Sequence, residues 1–101
     1  MARVKITVVK KAFYPDLAEQ YEVPTVEPCE MALGQEFVSS AGERPNGMCA
    51  NAWEPVGPFV EKLARGGGNF YGDWMKNPHS AVLSCNDGVR PTSFYVETIE
   101  D

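Results

Sequence analysis

The sequence has few of the features that mark the more easily recognised classes of protein. It contains a single histidine, and 9 Lys and Arg stand against 14 Asp and Glu, for a formal net charge of −5. Nucleic-acid binding requires clustered basic side chains that neutralise phosphates, so this balance argues against it. No uninterrupted apolar run approaches the roughly 20 residues that a membrane-spanning helix needs. We therefore expect no nucleic-acid partner and no association with a membrane.

Cysteine is also sparse, and its spacing is irregular. Cys29, Cys49 and Cys85 lie 20 and 36 residues apart and form no Cys-x-x-Cys pair. An odd number at such intervals does not suit a disulfide framework. The first residues, Met-Ala-Arg-Val-Lys-Ile-Thr-Val, alternate in polarity and lack the continuous apolar stretch of a signal peptide. These features predict reduced thiols, no intramolecular disulfide and a cytoplasmic location.

The hydrophobic pattern predicts one domain, residues 1–101, with an α+β fold. A small antiparallel or mixed sheet of about four strands is expected, with one principal helix packed on one face. Clean alternation of apolar and polar residues is the mark of a strand with one buried face. Such patterns, and a hairpin signal at Asp87-Gly88, place strands in residues 3–11, 81–85 and 92–99, and a turn followed by a short strand in residues 34–39.

The principal helix is predicted between Asn51 and Arg65, where apolar residues recur at three- and four-residue steps. Because proline is tolerated best in the first turn, the regular helix is expected to begin near Pro55, with residues 49–54 as a separate turn. A run of three glycines is expected to end it. Its packing against the first strand is predicted to involve Trp53, Val56, Val60 and Leu63 on the helix, and Val4, Ile6 and Val8 on the strand.

An aromatic loop follows the helix in residues 69–80. Phe70, Tyr71 and Trp74 lie there among glycine, asparagine and proline. Such side chains can cap the core, wall a small-molecule pocket or contact a partner protein, and all three interpretations stay open. The composition is too aromatic for a wholly solvated loop, so we expect it to fold over one edge of the core.

The three thiols allow three interpretations. Cysteine is often a small buried hydrophobic residue. Cys29, Cys49 and Cys85 are alternatively the ligands of a zinc ion or an iron–sulfur cluster, although His79 is the only histidine that could complete the set. A reactive thiol is the third interpretation. Cys49 is its best candidate, because a helix N-terminus favours a thiolate.

The hairpin after the third strand places three chemically useful groups within a few residues. Cys85, Asp87 and Arg90 supply a thiol, a carboxylate and a guanidinium. Turn formation and a surface ion pair explain the same residues without a ligand. In the functional alternative, Arg90 holds an anionic group with its fork of donors, and Asp87 is a candidate for proton transfer.

Five segments together resemble a family of short, single-domain prokaryotic proteins of unassigned activity, common in anaerobic bacteria and archaea. The resemblance covers residues 3–99, and its most specific parts are Cys49-x-x-Ala52-Trp53 and Trp74-Met75. It implies an autonomous fold and a thiol-centred site, because all three cysteines match cysteine positions of the pattern. The chain departs from the pattern in two places, with Ala50 where proline is usual and with Pro58 inside the helix. The segments are residues 34–37, 49–53, 67–70, 74–75 and 85–91.

The leading functional hypothesis is a small cytosolic binding or accessory domain with a cysteine-lined pocket. Cys49 is expected at its floor, Cys85 and Cys29 nearby, and Trp74 and Arg90 at its rim. The ligand is a small molecule or a partner protein, and a homo-oligomer stays open. One alternative is a zinc or iron–sulfur site on the three cysteines. Another is a small isomerase or lyase in which Cys49 or Asp87 moves a proton.

Overall fold

The computed structural model of the protein describes residues 1–26 and 30–99. Within these ranges, neither helix is long and apolar enough to cross a membrane. The α+β fold is the predicted one. Its elements, in chain order, are β1 (Arg3–Lys11), α1 (Pro15–Tyr21), β2 (Glu36–Ser39), α2 (Ala50–Ala64), β3 (Ser80–Ser84) and β4 (Thr92–Ile99).

The four strands form one antiparallel sheet in the order β2-β1-β4-β3. The first and last strands are therefore central neighbours, paired from Arg3 opposite Ile99 to Lys11 opposite Thr92. The register shifts between Val8 and Lys10, as in a β-bulge, which explains why Val9 departs from the alternation of β1. Short β2 and β3 are left as the two edges.

Helix α2 packs on one face of this sheet, as predicted. Its buried stripe recurs every three to four residues, and the matching strand residues are the inward-facing half of each alternation. The least exposed members of this shared core, all below 2% exposed, are Val4, Ile6, Val8, Ala52, Val56, Val60, Leu63, Phe94 and Val96. Trp53 contributes less than predicted, because its indole is only half-buried and lies along the helix over Gly57.

The predicted start of α2 near Pro55 is wrong, since the helix is continuous from Ala50 and contains both Pro55 and Pro58. Each proline removes one backbone hydrogen bond, which would have gone to the carbonyl of Asn51 or Glu54. Those two residues are exposed, so water can solvate the freed carbonyls. Burial of the apolar face of α2 then outweighs the unfavourable helix propensity of the two prolines.

The end of α2 follows the prediction. Gly66 has φ +90°, and its N–H donates to the Leu63 carbonyl at 3.0 Å, while the Gly67 N–H donates to the Lys62 carbonyl at 2.8 Å. This pair of hydrogen bonds is a Schellman motif, in which glycine supplies the residue with left-handed backbone conformation at no steric cost. The chain consequently turns sharply from α2 into the aromatic loop.

The aromatic loop covers the core only in part. Phe70 packs edge-on against Phe59 of α2 at 5.1 Å between ring centroids. Tyr71 stacks on Phe59 at 6.0 Å and Trp74 on Tyr71 at 5.0 Å, but these two outer rings remain 58% and 75% exposed. Of these three side chains, Phe70 is therefore the one that packs the loop against the core, as predicted, while Trp74 is largely exposed to solvent.

Candidate functional site

A cleft of about 780 Å³ opens beside the N-terminal end of α2. It is bounded by three segments that are distant in sequence: the chain before β2, the first turn of α2, and the hairpin after β3. Buried Met31 and Ala52 contribute apolar surface, and they lie beside Gly47, the two thiols and several amide and charged side chains. The described residues that line it are Glu30, Met31, Gln35, Gly47, Cys49, Asn51, Ala52, Cys85, Asn86, Asp87 and Arg90.

Cys49 occupies the position immediately before α2. Its backbone is extended, with φ −62° and ψ 137°, and its carbonyl accepts the first helical hydrogen bond from the Trp53 N–H at 3.0 Å. The thiol makes no capping hydrogen bond to the first turn and is exposed to the cleft. The side chain therefore presents a free sulfur next to backbone N–H groups that the helix leaves unpaired.

Cys85 lies directly after β3, and a hydrogen bond from the start of β4 holds its sulfur in place. Its N–H donates to the Thr92 carbonyl at 3.0 Å, and the Thr92 N–H donates to Cys85 Sγ at 3.3 Å. The Thr92 N–H thus donates its hydrogen bond to the Cys85 sulfur, and not to the Cys85 carbonyl as in a regular antiparallel ladder. Cys85 is half-buried against the core and lines the cleft with its remaining surface.

Asp87 is committed to the turn that follows Cys85. Its Oδ1 accepts the Val89 N–H at 2.8 Å and the Arg90 N–H at 3.0 Å. The two backbone donors, first Arg90 and then Val89, lower the pKa of Asp87 below its ordinary value of 3.8. A carboxylate held in its ionised form in this way is a poor proton donor near neutral pH, which weakens the predicted proton-transfer role.

Replacing Asp87 with asparagine tests this arrangement. Because the pKa is lowered in the folded protein, the ionised carboxylate stabilises the fold above pH 3.8, and this contribution is lost as the pH falls below that value. Asparagine keeps an oxygen acceptor but no charge. We expect the urea midpoint of the Asp87→Asn variant to lie below that of the wild type at pH 7, and the gap to be smaller at pH 3, because the carboxylate loses its charge as the pH falls below 3.8. A gap of equal size at both pH values would contradict this assignment.

Arg90 is tied to the protein's own acids. Its Nη1 lies 2.8 Å from Glu22 Oε1 and 3.9 Å from Asp87 Oδ2, and the guanidinium carbon sits 5.4 Å from the centre of the Phe13 ring. The contact with Glu22 is an ion pair without hydrogen-bond geometry, and both atoms are buried. Since the Glu22 carboxylate already compensates its charge, Arg90 mainly connects the end of α1 to the hairpin. This does not favour the predicted anionic ligand.

Four of the residues singled out from the sequence share the cleft: Cys49, Cys85, Asp87 and Arg90. Trp74 does not line it, because the aromatic stack lies on Phe59 in the second half of α2. Cys29 lies outside the described residues, so its predicted convergence with the other thiols stays a prediction. Lining residues that the sequence reasoning did not identify are Glu30, Met31, Gln35, Gly47, Asn51, Ala52 and Asn86. Gln35, Asn51, Ala52 and Asn86 lie in segments of the resemblance, but nothing in the sequence assigned them a role at a site, and only the folded chain brings the seven together.

Both described cysteines, Cys49 and Cys85, are free thiols. In residues 1–26 and 30–99, no three His, Cys, Asp or Glu side chains are grouped so that they could hold a metal ion. The three-cysteine metal hypothesis requires Cys29 and is therefore not decided by this part of the chain.

No protein-family model, curated protein or solved structure matches the chain. The cleft must therefore be interpreted from its own chemistry. Among the described lining residues, the carboxylates of Glu30 and Asp87 stand against the guanidinium of Arg90, which is itself paired with Glu22. This balance suits a neutral or cationic polar group better than an anion.

Proposed function

We propose that the protein is a small cytoplasmic binding domain whose cysteine-lined cleft holds a small polar molecule. The observation that carries the proposal is that Cys49 and Cys85, 36 residues apart in sequence, line one cleft. The cleft's volume of about 780 Å³ falls within the range of small-molecule pockets. A concave site with a few convergent polar groups is the usual form of such a pocket.

The lining supports a ligand that offers both donors and acceptors. The amides of Asn51 and Asn86 can do either, and the unpaired N–H groups at the start of α2 can only donate. The two thiols add soft, polarisable contacts. Arg90 is compensated by Glu22, and Asp87 is held by the turn and by Arg90, so among the described lining residues Glu30 keeps an uncommitted carboxylate. We therefore place polar neutral molecules and amines ahead of carboxylates and phosphates.

A bulky side chain at the cleft provides the test. Asn51 is exposed and lines the cleft, so Asn51→Trp should fill it without disturbing the core. The matched control is Glu54→Trp, an exposed position one turn along α2 that does not line the cleft. Each protein is incubated with a bacterial small-molecule extract, separated from unbound material and analysed by native mass spectrometry. We expect an adduct of a few hundred daltons on the wild type and on Glu54→Trp, and none on Asn51→Trp.

Two other results would count against the proposal. An adduct that survives in Asn51→Trp would place the ligand elsewhere, and a wild type without any adduct would contradict small-molecule binding. Metal analysis of anaerobically purified protein separates the alternative function. Stoichiometric zinc or iron that is lost in Cys49→Ser and Cys85→Ser would favour a thiolate metal site instead.

A further inference from the structure

The two edges of the sheet differ in how well they are protected against further pairing. Exposed edge strands usually carry charges, prolines or bulges that discourage the addition of another strand. Edge strand β2 has four residues and bears Glu36, which pairs with Lys5 at 3.7 Å. Edge strand β3 reads Ser-Ala-Val-Leu-Ser and has neither a charge nor a proline. By this criterion β3 is the unprotected edge.

Hydrogen bonds at the two ends of β3 show which of its backbone groups are unused. The Cys85 N–H donates to the Thr92 carbonyl, and the Thr98 N–H donates to the His79 carbonyl. Hydrogen-bonded pairs alternate in an antiparallel ladder, so Ala81 and Leu83 complete the set that bonds to β4. The N–H and C=O groups of the intervening residues therefore point away from the sheet.

Among these outward-facing residues, Val82 and Ser84 are accessible. Val82 is 54% exposed, and Ser84 is exposed as well. Ser80 is fully buried, and its hydroxyl donates to the Asn77 carbonyl at 2.7 Å, which closes the first end of the strand. No hydrogen bond within residues 1–26 and 30–99 involves the outward backbone groups of Val82 or Ser84. The open segment is thus short and centred on Leu83.

We infer that β3 pairs with β3 of a second copy of this chain, antiparallel about a two-fold axis at Leu83. In that register Val82 lies opposite Ser84 of the second copy, and Ser84 lies opposite its Val82. Each of these two pairs exchanges both N–H···O bonds. They use the outward N–H and C=O groups of Val82 and Ser84, and none of the groups that already bond to β4. The two sheets then join into one continuous sheet of two four-stranded halves, with no like charges facing each other along the seam.

A second copy fits the edge because the segment is complementary to itself. Directly opposed side chains would be small or aliphatic on both sides, and the half-buried Leu83 would meet its own equivalent. Pairing through a single short edge buries less than the roughly 1,600 Å² of a standard stable interface. The dimer is therefore weak, with a dissociation constant of about 10 µM to 1 mM, and depends on protein concentration.

Sedimentation equilibrium over that concentration range tests the inference. The weight-average mass of the wild type should rise from 11.1 kDa toward twice that value. Val82→Lys places a charge on the seam, and Val82→Pro removes an N–H that the monomer does not use, so both should remain at 11.1 kDa. Val38 is the matched control, because it is an exposed valine on the other edge strand. Val38→Lys and Val38→Pro should associate as the wild type does.

Amide hydrogen exchange of the wild type provides a measurement that needs no variant. Exchange at Val82 and Ser84 should slow as concentration rises, while exchange at Val38 should not change. A wild type that stays at 11.1 kDa throughout overturns the inference, even if β3 then binds a foreign extended peptide. It is equally overturned by association that survives both Val82 variants, and by masses that grow beyond the dimer, because a two-fold edge pair is closed.

Discussion

Replacing Phe94 with alanine is expected to lower the free energy of unfolding by about 3–5 kcal/mol. Phe94 is among the largest fully buried side chains, and it lies in the central strand β4 between Val8 of β1 and Leu83 of β3. Its removal leaves a cavity at the point where both strand pairings and α2 meet. For a domain of this size, the loss is a large fraction of a total stability of roughly 5–15 kcal/mol.

The matched control for this change is the next residue. Tyr95→Ala removes a side chain of similar size from the opposite, half-solvated face of the same strand. We expect it to cost about 1 kcal/mol. Urea unfolding of the two variants, followed by circular dichroism, should therefore give clearly separated midpoints. Equal midpoints would mean that the core does not lie on the face of the sheet that carries Phe94.

The second large effect is expected at Gly68, where the chain enters the aromatic loop. An added Cβ would overlap the carbonyl oxygen of Pro78 and lie 2.9 Å from His79 Nδ1. The same carbonyl accepts the Asn69 N–H at 2.7 Å, and His79 Nδ1 lies 3.1 Å from the Gly67 carbonyl oxygen. Because the overlapping atom belongs to the backbone, only a displacement of the loop makes room.

We expect Gly68→Ala to lower the free energy of unfolding by about 2–3 kcal/mol. Gly88→Ala is the control, since a Cβ at Gly88 meets nothing within 4 Å, and its effect should stay within about 0.5 kcal/mol. Thermal melts of both variants provide the comparison. In Gly68→Ala the Trp74 fluorescence should also change, because the loop that carries Trp74 has to move. A melting temperature equal to that of Gly88→Ala would show that the two loop ends are not in contact.

The sequence predicted the elements of the fold better than their arrangement. Alternation in β1 and the three- to four-residue steps of α2 are local patterns, and both elements were found with the expected faces buried. Helix onset near Pro55 was wrong because a local proline penalty was outweighed by burial of Ala52, one turn earlier, in the shared core. Only packing, which is not local, decides that competition.

The candidate site shows the same division. Cys49, Cys85, Asp87 and Arg90 were identified by their chemistry, and the structure places them on one cleft. The hydrogen bonds of Asp87 and the Glu22 partner of Arg90 were not predictable, because Glu22 lies 68 residues from Arg90 in a segment without a motif. Those contacts change the interpretation of both residues from reactive groups to structural ones.

The central position of β4 has a consequence for the order in which the protein can fold during synthesis. Strand β3 has no neighbour except β4 in the described part of the chain, and β1 would have only four-residue β2 beside it. An isolated two-stranded hairpin of that length is marginal in water, so β1, α2 and β3 cannot form a stable intermediate on the ribosome. The exposed β1 and β3 must wait until residues 92–99 have left the exit tunnel. Folding therefore has to await β4, and a nascent chain stalled before Thr92 should remain fully sensitive to protease.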